Sequence, residues 1–106
     1  MARAIVTVTQ APKRGDVIEI RTLIGHPMET GFRTTGDGAR VPRDLIRKLT
    51  CRYEGEVVFS AELFPATAAN PFVAFHTVAT ESGTLSFTWE GDNGFNQTET
   101  VAIRVT

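Results

Sequence analysis

The segment Thr84-Leu85-Ser86-Phe87-Thr88-Trp89-Glu90 alternates large apolar residues with small polar or acidic ones. Successive side chains of a β-strand point to opposite faces, so a period of two predicts a strand with Leu85, Phe87 and Trp89 on one face. Such a strand packs one face on a core and leaves the other exposed.

Six further segments are predicted strands, five of them by the same alternation: Ala4–Thr9, Asp16–Ile24, Leu45–Glu54, Glu56–Leu63, Pro71–Val78 and Thr98–Val105. Pro71–Val78 is apolar on both faces, which predicts a fully buried strand. Turn residues such as Glu54-Gly55 and Asn93-Gly94 separate the segments, because Asn and Gly tolerate the positive φ of tight hairpins. Seven strands in 106 residues predict an all-β, immunoglobulin-like antiparallel β-sandwich, and we assign residues 1–106 to a single domain.

The start of the third segment has a second interpretation. Leu45, Ile46 and Leu49 have the spacing of a helical turn. Leu45 also continues the parity of Leu49 and Cys51, and this continuity favours a strand.

The segment Gly25–Val41 fits no strand, because it contains a proline and four glycines. Long loops in compact domains are usually functional or mobile. Its first part is therefore a candidate partner-contact or functional loop, made of His26, Pro27, Met28, Glu29, Thr30 and Gly31.

The net charge of −1 hides a strong asymmetry along the chain. Residues 1–53 hold ten of the 11 bases and five of the 12 acids and carry +5, whereas residues 54–106 carry −6. Arginine binds carboxylates and oxyanions through its planar fork. We therefore predict a basic docking surface for an acidic partner or an anionic ligand, made of Arg33, Arg40, Arg43, Arg47, Lys48 and Arg52; a solvated face is the plainer interpretation. Aromatic residues do not interleave with these bases, so no nucleic-acid partner is expected.

Catalysis is not expected from the residue types present. Nucleophilic catalysis needs a nucleophile beside an oriented base, and the three serines and two histidines form no such pattern. Cys51 lies on the apolar parity of its segment and should be inert. We predict no catalytic residue and no cofactor.

Two alternatives stay open: a small enzyme or metal-binding domain, and a generic immunoglobulin-like interaction domain. His26 and Glu29 could share a helical face, with His76 as a third ligand, but Pro27 and the flanking glycines disfavour a helix there. We predict no metal site.

Neither a membrane span nor a signal peptide is predicted. The longest uncharged stretch, 63–80, contains two prolines and polar residues, and the first residues lack a long apolar run. On its own this indicates a cytoplasmic protein without membrane contact.

Four motifs, in order, resemble the SoxZ family of sulfur-oxidation proteins: Gly25-His26-Pro27-Met28-Glu29-Thr30-Gly31, Val41-Pro42, Leu63-Phe64-Pro65-Ala66 with Asn70-Pro71-Phe72, and Trp89 followed by Asp92-Asn93-Gly94. The spacing after Trp89 departs from the family's usual pattern, since Glu90-Gly91 intervene. The resemblance covers nearly the whole chain.

The resemblance implies a non-catalytic scaffold that forms a heterodimer with SoxY, the subunit whose arm cysteine carries covalent sulfur intermediates during thiosulfate or sulfur oxidation. It also implies transient contacts with other Sox enzymes, and periplasmic location through co-export with a signal-bearing SoxY. Because no pocket chemistry is visible, we expect a strand edge or sheet face to make the main contact, and self-association of the isolated chain is possible.

Overall fold

The computed structural model describes residues 2–106. Its seven strands are β1 (Ala4–Val8), β2 (Val17–Ile24), β3 (Ile46–Tyr53), β4 (Glu56–Glu62), β5 (Phe72–Val78), β6 (Gly83–Gly91) and β7 (Asn96–Ile103). Each corresponds to one predicted segment, with bounds that differ by one or two residues. Within the described range, the one helical piece is the 3-10 turn Asp92–Gly94, and no helix there is long and apolar enough to cross a bilayer.

The strands form two antiparallel sheets, with the orders β1-β2-β5 and β4-β3-β6-β7. Their inner faces enclose a core whose largest fully buried side chains include Trp89, Phe87, Ile18, Ile20 and Leu49. Leu85, Phe87 and Trp89, which were predicted to share one face of a strand, therefore all face the core. The predicted all-β, immunoglobulin-like sandwich is confirmed.

The expectation that the fifth strand is fully buried is wrong. β5 pairs only with β2, at the edge of the three-stranded sheet. Phe75 is buried and stacks on Phe59 of β4 at a centroid distance of 3.9 Å, whereas Phe72 is 59% exposed and Val78 is 46% exposed. Apolar residues occur on both parities because the outer face carries apolar side chains that no other layer of the described chain covers.

The third strand begins at Ile46, one residue later than predicted, and not with a helical turn. A register shift between Ile46 and Lys48 against β6 marks a β-bulge, and it lets both Leu45 and Ile46 enter the core. Gly91 allows β6 to approach the backbone at the start of β3 closely, since a Cβ at Gly91 would clash with the carbonyl oxygen of Leu45.

Candidate functional site

The candidate loop begins with a short turn that Asn70 fixes from the opposite connection. The backbone N–H of His26 donates to Asn70 Oδ1 at 2.9 Å, and the backbone N–H of Asn70 donates to the carbonyl oxygen of His26 at 2.8 Å. Asn70 has φ +53°, a left-handed conformation that asparagine tolerates better than most residues. Two motifs that are 44 residues apart therefore meet through one residue pair.

The ring of His26 is a buried structural element of this turn, with 5% exposure. Its Nδ1 accepts the N–H of Met28 at 3.0 Å, so a neutral ring carries its proton on Nε2, which lies 3.7 Å from Asp44 Oδ1. The ring also meets Phe95 edge to face at 5.1 Å. These contacts leave the imidazole little room to bind an external ligand.

Met28 continues the turn into the core. It is 5% exposed with φ +51°, and its sulfur accepts the N–H of Ile46 at 3.3 Å. The turn is thereby joined to the first residue of β3. Pro27 beside it is exposed.

Residues 29–44 form a paired extension rather than an irregular loop, and we call it the arm. Glu29 and Asp44 exchange two backbone hydrogen bonds of 2.8 Å, and Thr34 pairs with Arg40 farther out. Residues 32–40 are all exposed, with Phe32 at 73%. The arm is thus a narrow hairpin that leaves the sandwich between β2 and β3.

Gly31 is required where the two sides of the arm approach each other. It has φ +87°, and a Cβ there would lie 3.0 Å from Cβ of Arg43. Thr30, next to it, turns the chain locally, since its hydroxyl accepts the N–H of Phe32 at 3.1 Å. At the tip, the Thr35 hydroxyl and the Ala39 N–H hold the pKa of Asp37 below its usual value.

Asp92 joins the base of the arm to the end of β6. Its carboxylate accepts a hydrogen bond from Nε of Arg43 at 2.8 Å and from the backbone N–H of Leu45 at 3.1 Å, and it forms an ion pair with Nε of Arg47 at 3.1 Å. The hydrogen bond from Arg43 is the main reason that the pKa of Asp92 lies below its usual value; the Leu45 N–H and the charges of both arginines add to it. Two guanidinium groups are thereby held side by side by one carboxylate.

Asn93 makes a second connection between the same two elements. Its side-chain amide donates to the carbonyl oxygen of Arg43 at 3.2 Å and to Asp44 Oδ1 at 3.4 Å. Asn93 has φ +58°, so the turn predicted at Asn93-Gly94 aims this amide at the arm. The motifs around His26, Asn70 and Asp92 therefore converge at one end of the sandwich.

The six predicted basic residues are divided over three places. Arg33 and Arg40 lie on the arm, Arg43 and Arg47 at its base, and Lys48 and Arg52 on the outer face of β3. Arg33 is paired with Glu29 at 2.7 Å, which lowers the pKa of Glu29 and raises that of Arg33 through their hydrogen bond and charge attraction. Lys48 has the acids Glu62 and Glu90 as its neighbours on the adjacent strands.

A groove of about 380 Å³ lies beside the base of the arm. Its cationic side is formed by Arg43, Arg47 and Lys48, and its apolar side by Leu63, Phe64 and Pro65. Phe64 is 57% exposed. Glu62 also lines the groove, which thus combines three bases, one acid and an apolar rim.

The remaining reactive side chains lie elsewhere. Cys51 is fully buried, and burial raises the pKa of its thiol to about 11, so it is protonated at neutral pH. His76 is exposed on β5 with Nε2 3.6 Å from Glu19. In residues 2–106, no three His, Cys, Asp or Glu side chains are grouped in a way that could hold a metal ion.

Sequence reasoning missed the roles of Asp92, Asn93 and Asn70. Each lies inside a motif that carried the resemblance, but their contacts join segments 44 to 50 residues apart. The signal available was the position of these polar turn residues inside the motifs, where they have no evident local role.

A family model described as sulphur oxidation protein SoxZ matches residues 6–102. Comparison with curated proteins gives no match.

Several solved structures share the fold. Superoxide reductase (neelaredoxin) from Ignicoccus hospitalis is 18% identical with a TM-score of 0.75, and the match covers 99% of this chain and 82% of that one. A putative superoxide reductase from Thermotoga maritima is 15% identical with a TM-score of 0.73, covering 97% and 85%. The sulfur carrier protein SoxY from Chlorobium limicola f thiosulfatophilum is 10% identical with a TM-score of 0.66, covering 96% and 74%. At these identities the likeness concerns the fold alone.

Proposed function

The chain belongs to the SoxZ family and is a subunit of the Sox sulfur-oxidation system, and on that premise we propose that it is the non-catalytic scaffold subunit of a SoxYZ carrier. In this proposal it forms a heterodimer with SoxY, and the cysteine on SoxY's arm holds the covalent sulfur intermediates. The family match over residues 6–102 carries the proposal.

The chemistry of the described residues agrees with a scaffold role. The chain's one thiol is buried and has a raised pKa, so it is a poor nucleophile and a poor carrier of sulfur. The histidine of the most distinctive motif holds a backbone turn. The motif residues thus shape a surface, and the reactive thiol belongs to the partner.

The arm and its base are the proposed contact region for the other Sox enzymes. The exposed segment 32–40 carries Phe32, Arg33 and Arg40 away from the sandwich, and Asp92 holds Arg43 and Arg47 beside the groove. Exposed arginines speed the encounter with acidic surfaces and fix its orientation. The same bases suit the negative charge of a sulfur oxyanion on the carrier cysteine.

Co-expression with the cognate SoxY tests the pairing. We expect one complex of equimolar subunits on size-exclusion chromatography, stable to dilution into the micromolar range. Two separate peaks at every concentration would overturn the proposal. In the native host, the chain should reach the periplasm only when SoxY retains its signal peptide, and export without SoxY would contradict co-export.

A further inference from the structure

The outer edge of β5 presents a row of free backbone groups. Ala79 N–H donates to the carbonyl oxygen of Asp16, and Ile24 N–H donates to that of Pro71. These two bonds fix the phase of the β2–β5 ladder, because antiparallel strands alternate between bonded and non-bonded pairs. The N–H and C=O groups of Phe72, Ala74, His76 and Val78 therefore point away from β2.

Nothing in the sequence of β5 protects this edge. The stretch 63–80 contains no charged residue, and the β2–β5 register runs without a shift from one end to the other. Proteins usually protect exposed edges with charges, prolines, bulges or a covering segment. An uncharged, regular edge of seven residues is a template for another strand.

The other sheet edges differ from that of β5. β4 carries Glu56 and Glu62, and its register against β3 shifts at a bulge. β7 carries Glu99. Its residue Gln97 also holds Ala2, just before β1: the side-chain NH2 donates to the Ala2 carbonyl oxygen at 2.8 Å, and the side-chain oxygen accepts the Ala2 N–H at 3.1 Å. β1 is also uncharged and regular, but it has five residues against the seven of β5, so β5 is the longest edge strand without a charge or a register shift.

An apolar row on the outer face of the same sheet adjoins this edge. Ile5, Leu23 and Phe72 are cross-strand neighbours on β1, β2 and β5, and they are 46%, 37% and 59% exposed. A strand added to β5 extends this face, so its apolar side chains can pack beside Phe72. Backbone hydrogen bonds and apolar contact then act together.

We propose that β5 is the strand through which this chain pairs with SoxY, the added strand continuing the three-stranded sheet. This inference rests on the proposed function. We take SoxY as the occupant because it is the stable partner in the proposed function, and because a solved SoxY shares the sandwich fold over 96% of this chain, so its strands have a similar twist.

Amide hydrogen exchange measured by NMR, residue by residue, tests the edge directly. The amides of Val73, Phe75 and Thr77 already bond to β2 and should exchange slowly in the free chain. Those of Phe72, Ala74, His76 and Val78 should exchange fast when free and at least about tenfold more slowly once SoxY is added, because only a new strand protects them. Binding of SoxY without this alternating protection overturns the inference and leaves the proposed function intact, whereas absence of any binding overturns the proposed function.

A matched pair of lysine variants gives a second measurement. Ala74→Lys places a charge on the β5 edge, and Ser60→Lys places one at a position of the β4 edge that is also exposed. Ala74→Lys should weaken SoxY binding by about tenfold or more and Ser60→Lys by less than about twofold, since edge lysines oppose strand addition. Equal effects overturn the inference. The four amides could already exchange slowly in the concentrated chain alone, with no further slowing when SoxY is added. That result would assign the edge to a second copy of this chain and would also overturn the inference.

Discussion

The carboxylate of Asp92 accepts a 2.8 Å hydrogen bond from Nε of Arg43, a residue 49 positions earlier in the chain. This hydrogen bond joins the base of the arm to the turn that follows β6. The Asp92 side chain is 19% exposed and that of Arg43 is 52% exposed, so water reaches the guanidinium side of the contact.

Replacing Asp92 tests how much this connection contributes. Asp92→Asn keeps the shape but removes the charge that orients Arg43 and Arg47, and hydrogen bonds to charged groups contribute about 1.5–3 kcal/mol. Because both guanidinium groups are more than half exposed, water weakens the contribution, and we expect the free energy of unfolding in urea to fall by about 1 kcal/mol. Glu90→Gln, two residues away and exposed, should change it by less than about 0.5 kcal/mol; equal losses in the two variants would contradict the role of Asp92.

The same carboxylate makes stability depend on pH at the acid end. The pKa of Asp92 is lower in the folded chain than its usual value, so its contribution is present above the unfolded-state pKa of about 4 and is lost as pH falls through the folded value. Thermal unfolding should therefore show a midpoint that drops below about pH 4 more steeply in the natural sequence than in Asp92→Asn. Parallel pH profiles would show that Asp92 contributes no pH dependence.

Gly31 should not tolerate a side chain, whereas Gly36 should. Gly31→Ala forces alanine to φ +87° and brings its Cβ within 3.0 Å of Arg43, and such backbone strain costs about 1–3 kcal/mol. Gly36 has open space around it, so Gly36→Ala serves as the control with little effect. Urea unfolding compares the two, and faster proteolysis within the arm of Gly31→Ala is the expected companion result.

Cys51 should be inert in the folded chain. Burial both hides the sulfur and raises the pKa of the thiol to about 11, so the thiolate is scarce at pH 8. Iodoacetamide should leave the native chain unmodified over hours and label it fully in denaturant. Labelling of the native chain at the rate of a free thiol would reopen a carrier role for this residue.

The sandwich was predictable because its signals are local. The alternation from Thr84 to Glu90 requires only neighbouring residues and the period of the pleat. The arm was not, since its pairing of Glu29 with Asp44 depends on contacts with Asp92 and Asn93 that no local pattern encodes. The exposure of β5 was missed for a related reason: an apolar outer face and a second buried face have the same sequence pattern.

The basic docking surface makes a prediction that separates encounter from folding. Arg40 is exposed on the arm, so Arg40→Glu should leave the unfolding free energy and the affinity for SoxY unchanged. It should instead slow the reaction of the SoxYZ carrier with the other Sox enzymes, most at low ionic strength, because exposed charges act mainly on association rates and salt screens them. Arg104→Glu makes the same charge change in an exposed arginine just after β7. If both variants slow turnover alike, net charge and not the arm sets the rate; a loss specific to Arg40→Glu that salt removes identifies the arm as the docking element.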